Sequence, residues 1–314
     1  MIRIPLGTWV EAFIEGLISV AGPVFDVIRA IFGALYSFFE FILLTPPVGV
    51  IIVVFAALAF IASGWKLALG TALGLGLILT VDQWGNAMET LALVIVASLI
   101  AILLAVPLGI WAAKSNTASA IIRPILDFMQ TMPAFVYLIP ALILFRVGVV
   151  PGIVATIIFA MAPGARMTEL GIRGVDEEVV EAGKAFGATP GRILRQIQLP
   201  LAMPSIMAGV NQVIMLALSM VVIAGMVGAG GLGADVVQSL NRIDVALGFE
   251  AGISVVALAI ILDRLTGAFS RRHENGQKTL VERVIERRKA RANGTTDDQV
   301  DPKPATSQPA SASA

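Results

Sequence analysis

The chain has 314 residues; 57% are hydrophobic and 14% are charged, where a soluble domain carries about a quarter charged residues. That balance predicts an all-α polytopic membrane protein. Formal net charge is zero and cysteine is absent, which gives no support to a nucleic-acid partner and excludes disulfides, thiol chemistry and Cys-based metal sites.

The opening "MIRIPLGTWVEAF" does not read as a signal peptide, since Glu11 interrupts it before any apolar core. Residues 1–46 form a first, mixed segment. Within it Asp26, Arg29 and Glu40 lie among aromatics between Phe25 and Leu44. An interfacial or packed helix is expected there, with a true crossing as the alternative. The apolar stretches Pro47–Ser63 and Leu67–Thr80 hold 17 and 14 residues on either side of "GWK". They read as two short crossings with Trp65 and Lys66 at an interface, or as one broken span.

Leu91–Ala113 is a crossing of 23 residues without a charge. In Ile121–Phe145 the first third, with Arg123 and Asp127, is expected at the interface, and the remainder enters the membrane after Pro133. Val147–Pro163, Met203–Val227 and Gly252–Leu262 complete seven expected crossings. The Lys and Arg bias of the loops places the insert between the fifth and sixth crossings, residues 164–200, and the C-terminus in the cytoplasm, with the N-terminus outside.

The segment "GAGGLG", Gly228–Gly233, fits G-x-G-x-x-G only formally: an apolar, helix-length run precedes it, so a glycine-rich turn at the outer end of a span is expected rather than a dinucleotide site. No G-x-x-x-x-G-K-[ST] occurs, His273 is the only histidine, and Ser205, Ser219 and Ser254 have no histidine partner. Trp65, Trp84 and Trp111 lie near span ends and read as anchors, and neither Tyr36 nor Tyr137 is assigned to substrate. Residues 269–314 form a charged tail. Leu280, Val281, Val284 and Ile285 share a helical face there, and the polar end reads as disordered. That tail is either simply solvated or drawn to an anionic membrane surface.

The insert carries the positive signal. Glu177, Glu178 and Glu181 load the start of a helix, where carboxylates favour the dipole. Gly187 allows a turn that a side chain would obstruct. Thr189 then caps a second helix with Pro190 at its first position. Ile193, Leu194 and Ile197 give that helix an apolar side, Arg192 and Arg195 stay wet, and Pro200 and Pro204 bracket the return to the membrane. This is helix–turn–helix surface architecture; on pattern alone, a docking surface and a solvated loop remain equally open.

The stretch "EAGKAFGATPGRILRQIQLP" resembles the EAA motif of ABC-importer permeases: E-A-A, three residues, G, nine residues, I-x-L-P. Glu181, Ala182, Gly187, Ile197, Leu199 and Pro200 stand at matching positions, and Gly183 replaces the second alanine. Three further stretches, "IIRPILDFMQTMPAFVYLIP", "LPLAMPSIMAGVNQVIMLALSMVVIAGMVGAGGLG" and "AIILDRLT", are similar to permeases of glycine betaine/proline importers, a quaternary-ammonium group, over about residues 47–268.

The resemblance implies a type I ABC-importer permease fold with about seven transmembrane helices in the bacterial inner membrane. It implies a non-catalytic subunit that binds no cofactor itself, with ATP and Mg2+ on a separate cytoplasmic ATPase. The implied coupling residues are Glu181, Ala182, Gly183, Gly187, Ile197, Leu199 and Pro200. The implied partners are that ATPase, a periplasmic or lipid-anchored solute-binding protein, a second copy of the permease, and membrane lipid. Glycine betaine or proline betaine is the expected solute class, with choline or carnitine as the alternative. A secondary osmolyte symporter and a membrane scaffold are the competing classes.

Overall fold

The computed structural model describes residues 6–274, and all regular structure among them is helical. Of the expected tail, residues 269–274 continue the last helix, and residues 275–314 lie outside the described residues. Thirteen α-helices are present among the described residues. A 39-residue helix, α1, runs Leu6–Leu44. Two 16-residue helices, α2 (Val48–Ser63) and α3 (Trp65–Thr80), pack side by side across a break at Gly64, whose φ is +91°. They form a hairpin of short helices, which excludes one broken span.

Next come α4 (Trp84–Lys114), α5 (Asn116–Thr131) and α6 (Ala134–Phe145), then α7 (Val149–Arg173). Helices α5 and α6 meet at 98°. Pro133 removes a donor at the corner and forces the residue before it out of helical conformation: Met132 has ψ 135°. Short helices α8 (Glu177–Ala185) and α9 (Pro190–Ile193) follow, then a π-helical segment at Leu194–Gln198. The chain continues as α10 (Leu199–Ser219), α11 (Val221–Gly225), α12 (Gly231–Arg242) and α13 (Val245–Glu274).

Five helical stretches are long and apolar enough to cross a membrane: α1, α4, α7, the run Pro190–Gly225 and α13. The bent α5–α6 pair makes a sixth if it is one span. Helices α2 and α3 are apolar but shorter. Each of the seven expected crossings is thus helical, and α1 is an additional long helix. Within α1 Tyr36 Oη donates to Glu40 Oε1 at 3.3 Å, and Phe25 meets Phe145 of α6 edge-to-face at 5.6 Å, while Asp26 is exposed.

Helices α4, α7 and α10 form the centre, and small residues bring them together. A Cβ on Gly109 of α4 would stand 2.5 Å from the Ala165 carbonyl oxygen of α7. One on Gly164 would meet Val213 Cγ2 of α10 at 2.8 Å, and one on Gly209 would meet Met167 Cβ at 2.8 Å. The backbones therefore touch where a larger residue would part them. Ser219 and Ser254 donate to the Met215 and Glu250 carbonyls at 3.0 and 2.7 Å, as serines in apolar helices do.

The glycine-rich turn is present, and it is pinned from α4. Gly228, Gly230 and Gly231 have φ of +82°, +74° and +66°. The Gly231 N–H donates to Glu89 Oε2 at 2.8 Å and the Leu232 N–H donates to Thr90 Oγ1 at 2.9 Å. Two α4 side chains thus satisfy the first free amides of α12. The run Met203–Val227 is not one unbroken helix; it is interrupted at Met220, between α10 and α11.

Candidate coupling surface

Helix α7 continues through Pro163 to Arg173, so residues 164–173 are the buried end of a long helix and the surface element begins at Gly174. Asp176 caps α8 by accepting from the Glu178 N–H at 3.0 Å. Glu177 and Glu178 lie in the first turn and Lys184 in the last, each at the helix end its charge favours. No residue of α8 is buried.

The helix ends in a Schellman motif. Ala188 N–H donates to Gly183 O at 3.1 Å and Gly187 N–H to Lys184 O at 2.9 Å, with Gly187 at φ +75°. A Cβ on Gly187 would meet nothing within 4 Å. The left-handed backbone, with open space around it, is what a side chain would oppose at this turn, as expected. Thr189 is the N-cap of α9 and Pro190 its first residue, but the Thr189 hydroxyl makes no cap hydrogen bond. Its carbonyl instead accepts from the Arg192 and Ile193 N–H groups, each at 2.9 Å.

Pro200 and Pro204 do not interrupt the return. Helix runs through both, from Pro190 to Ser219, with Pro200 in the first turn of α10 and Pro204 inside it. The π-helical segment precedes Pro200, where the missing N–H and the ring would strain a regular turn.

The seven predicted residues divide by role. Glu181 and Ala182 are exposed on the outer face of α8. Gly183 faces inward: a Cβ there would stand 2.6 Å from Ile197 Cδ1 and 3.6 Å from Ile193 Cγ1. Its replacement of alanine lets α8 lie close on the returning helix. Leu199 packs with Ile172, Leu194, Ala202 and Ile206, which joins the base of the insert to α7 and α10. Gly187 sets the turn, and Pro200 is exposed beside the π-helical segment. Arg192 and Arg195 are exposed as expected, and with Lys114 they line an open cavity of about 550 Å³.

Val179, Val180, Ala182, Ala185 and Phe186 supply apolar surface by sequence, and Phe186, at the tip of the turn, is 93% exposed. One further cluster was not singled out from the sequence. Behind the insert, Glu169 of α7 is 2% exposed and receives Ser119 Oγ at 2.7 Å, Arg123 Nη2 at 2.9 Å and Arg173 Nε at 3.1 Å, all at Oε1. Arg173 also donates to the Ala112 carbonyl and to Asn116 Oδ1, each at 2.9 Å. Arg166 pairs with Asp127 nearby. This network binds the ends of α4, α5 and α7 at the root of α8. The i, i+4 spacings Ser119/Arg123 and Glu169/Arg173 are visible in the sequence; their convergence is not. Among the described residues no group of three or more acidic or histidine side chains converges to hold a metal.

Residues 105–275 match the family described as binding-protein-dependent transport system inner membrane component. The chain is 50% identical over 273 residues to the glycine betaine/carnitine transport permease protein GbuB of Listeria monocytogenes, covering 86% of this chain and 96% of that one. It is 49% identical over 268 residues to the glycine betaine/proline betaine transport system permease protein ProW of Escherichia coli, covering 85% of this chain and 76% of that one. Among solved structures, an inward-facing MetNI methionine ABC transporter chain superimposes with a TM-score of 0.55 at 23% identity, over 60% of this chain and 94% of that one, a likeness of fold. With this match, these identities and the helical membrane fold, the chain belongs to the family of inner membrane components of binding-protein-dependent transport systems.

Proposed function

We propose that the chain is the permease subunit of an importer for glycine betaine, proline betaine or a related compatible solute, driven by a separate cytoplasmic ATPase. The observation that carries the coupling role is α8: nine residues, none buried, held on a Schellman turn and followed by an exposed phenylalanine. A surface helix this open, fixed at both ends to membrane helices, suits insertion into a partner's groove.

The exposed charges are of both signs: Asp176, Glu177, Glu178 and Glu181 belong to α8 and its cap, and Lys114, Arg192 and Arg195 line the open cavity. In this reading Glu181, Ala182 and Phe186 meet the ATPase, while Gly183, Gly187, Ile197, Leu199 and Pro200 hold the helix at its angle. ATP and Mg2+ reside on the ATPase, and this chain catalyses nothing itself.

When the ATPase pair closes on ATP, α8 moves with the groove that holds it. Helix α8 is joined through Gly174–Asp176 to α7 and through α9 and the π-helical segment to α10. Those two helices touch at Gly164 and Gly209, so displacement of α8 tilts them together. The Glu169 network carries α4 and α5 along with them. A second permease copy completes the pathway, and a solute-binding protein delivers the solute at the outer face. Counting the seven crossings from α2 to α13, the insert and the C-terminus face the cytoplasm and the start of α2 lies outside.

Uptake of radiolabelled glycine betaine into proteoliposomes holding the permease, its ATPase and its solute-binding protein is the test. Transport requiring all three and ATP is expected. Uptake by this chain alone without ATP would replace the proposal with a secondary symporter, and absence of uptake with any betaine, choline or carnitine would leave a scaffold.

A further inference from the structure

A second polar site lies away from the insert, between the α2–α3 hairpin and α13. A cavity of about 370 Å³ there is lined by Lys66, Gly70, Thr71, Ile260, Ile261 and Arg264, with Ser63 and Leu67 at its margin. Lys66 and Arg264 are exposed, and neither has an acidic partner among the described residues. Asp263, next to Arg264, is engaged elsewhere, accepting from Asn211 Nδ2 at 3.2 Å.

Thr71 supplies the independent observation. It is 1% exposed, and its Oγ1 is buried without a hydrogen-bond partner among the described residues. A helical threonine ordinarily turns its hydroxyl back to a carbonyl one turn earlier, as Thr156 and Thr168 do here at 2.7 and 2.8 Å. An unpaired buried hydroxyl is costly, and Thr71 belongs to the wall of a cavity that also has two cations without acidic partners among the described residues.

The depth of the site selects the ligand. Helices α2 and α3 have 16 residues each, about 24 Å at the α-helical rise, whereas a hydrocarbon core is about 30 Å thick. A hairpin of this length stops short of a full crossing. Hydrophobic mismatch of this sign draws the headgroup layer inward. Trp65, 64% exposed on the same turn, is the side chain expected where headgroups meet hydrocarbon. The walls below the cations are apolar: Leu67, Ile260 and Ile261 line the cavity, and Ile260 is 56% exposed toward its surroundings.

We propose that this cavity binds one anionic glycerophospholipid. Its phosphate takes Lys66 and Arg264, a headgroup or phosphate oxygen pairs with the Thr71 hydroxyl, and an acyl chain runs along Ile260. Cations in a pocket between membrane helices, with apolar walls beneath, have the chemistry of a lipid headgroup site. Soluble phosphate would satisfy the cations alone and leave the apolar walls unused.

The test is native mass spectrometry of the full-length permease in mild detergent, titrated separately with phosphatidylglycerol, phosphatidylcholine and inorganic phosphate. Retention of phosphatidylglycerol in preference to phosphatidylcholine is expected. The double variant Lys66→Gln, Arg264→Gln should weaken it about thirtyfold, taking each basic side chain at its usual weight beside anionic lipid. Gly70→Leu is the second variant: a Cβ at Gly70 meets nothing within 4 Å, so leucine fills the cavity without disturbing the helix or any charge. It should weaken retention at least tenfold with an unchanged melting temperature. Retention unaffected by either variant overturns the proposal. Displacement by millimolar inorganic phosphate overturns the lipid as occupant and leaves a free-anion site.

Discussion

Arg123 and Glu169 stand 46 residues apart in the chain, yet two hydrogen bonds of 2.9 and 3.3 Å join the guanidinium to the carboxylate. The carboxylate is buried and the arginine half-exposed, at 2% and 49% of the side chain. Arg173 closes the same carboxylate from the far side at 3.1 Å. A buried anion with two cations is tolerated because each cation keeps part of its hydration while Glu169 exchanges water for four donor groups from three side chains.

Removing both cations should therefore be worse than removing the anion. Arg123→Met with Arg173→Met strands Glu169 and should cost about 3–5 kcal/mol of stability. Glu169→Gln leaves two partly hydrated arginines and should cost about 1–2 kcal/mol. Thermal unfolding of the detergent-solubilised permease measures both. Equal losses would show that the cluster is not organised around Glu169.

Gly187 is constrained by its backbone alone. Gly187→Val should cost about 1–2 kcal/mol locally, enough to open the Schellman turn and re-aim α8. Membrane insertion should stay at the wild-type level while substrate-stimulated ATPase activity of the assembled importer falls about tenfold. Gly187→Asn, which tolerates the left-handed region, should retain most activity. Full activity in the valine variant would remove the turn from the coupling path.

Gly183 is constrained by contact. Gly183→Leu should separate α8 from the returning helix and lower coupled activity. Gly183→Ala should lose less, since the clashing atom is the mobile tip of Ile197. Ile197→Val in the alanine background should restore what was lost. A double-mutant cycle of ATPase activity reads this coupling directly, and strict additivity would contradict the contact.

Phe186 is an exposed aromatic with no burial to lose within this chain. Phe186→Ala should leave the melting temperature unchanged and weaken association with the ATPase subunit about thirtyfold, as for a buried interface anchor. Pull-down or titration in nanodiscs checks it. Unaltered affinity would place the docking contact elsewhere on α8.

The surface element was the most legible part of the chain because its signals are local. Acidic residues before a short apolar face, then glycine, threonine and proline in fixed order, specify helix, turn and helix without reference to anything distant. The prolines were misleading for a related reason. Pro200 reads as a boundary by its own geometry, but a wider turn upstream absorbs its strain and the helix continues. Length was also hidden in α1: Asp26, Arg29 and Glu40 argue against an apolar helix, yet the helix runs on through all three, with Glu40 paired to Tyr36. The Glu169 cluster was least legible, since its members come from three helices whose approach is decided by glycines facing one another across the core. Thr71 was equally silent, because a missing partner leaves no trace in a sequence.

The π-helical segment Leu194–Gln198 also leaves slack in the length of the insert. A wide turn takes in about one residue more than a regular one over the same full rotation. Deleting a single residue there would let the helix close into regular α-form with its two flanks still in phase, so Glu181 and Phe186 would keep their bearing relative to α10. A deletion in the regular part of α10 has no such slack and would rotate everything N-terminal to it by about 100°. The aim of the docking face is thus tolerant of a lost residue at these five positions and intolerant of one a turn later.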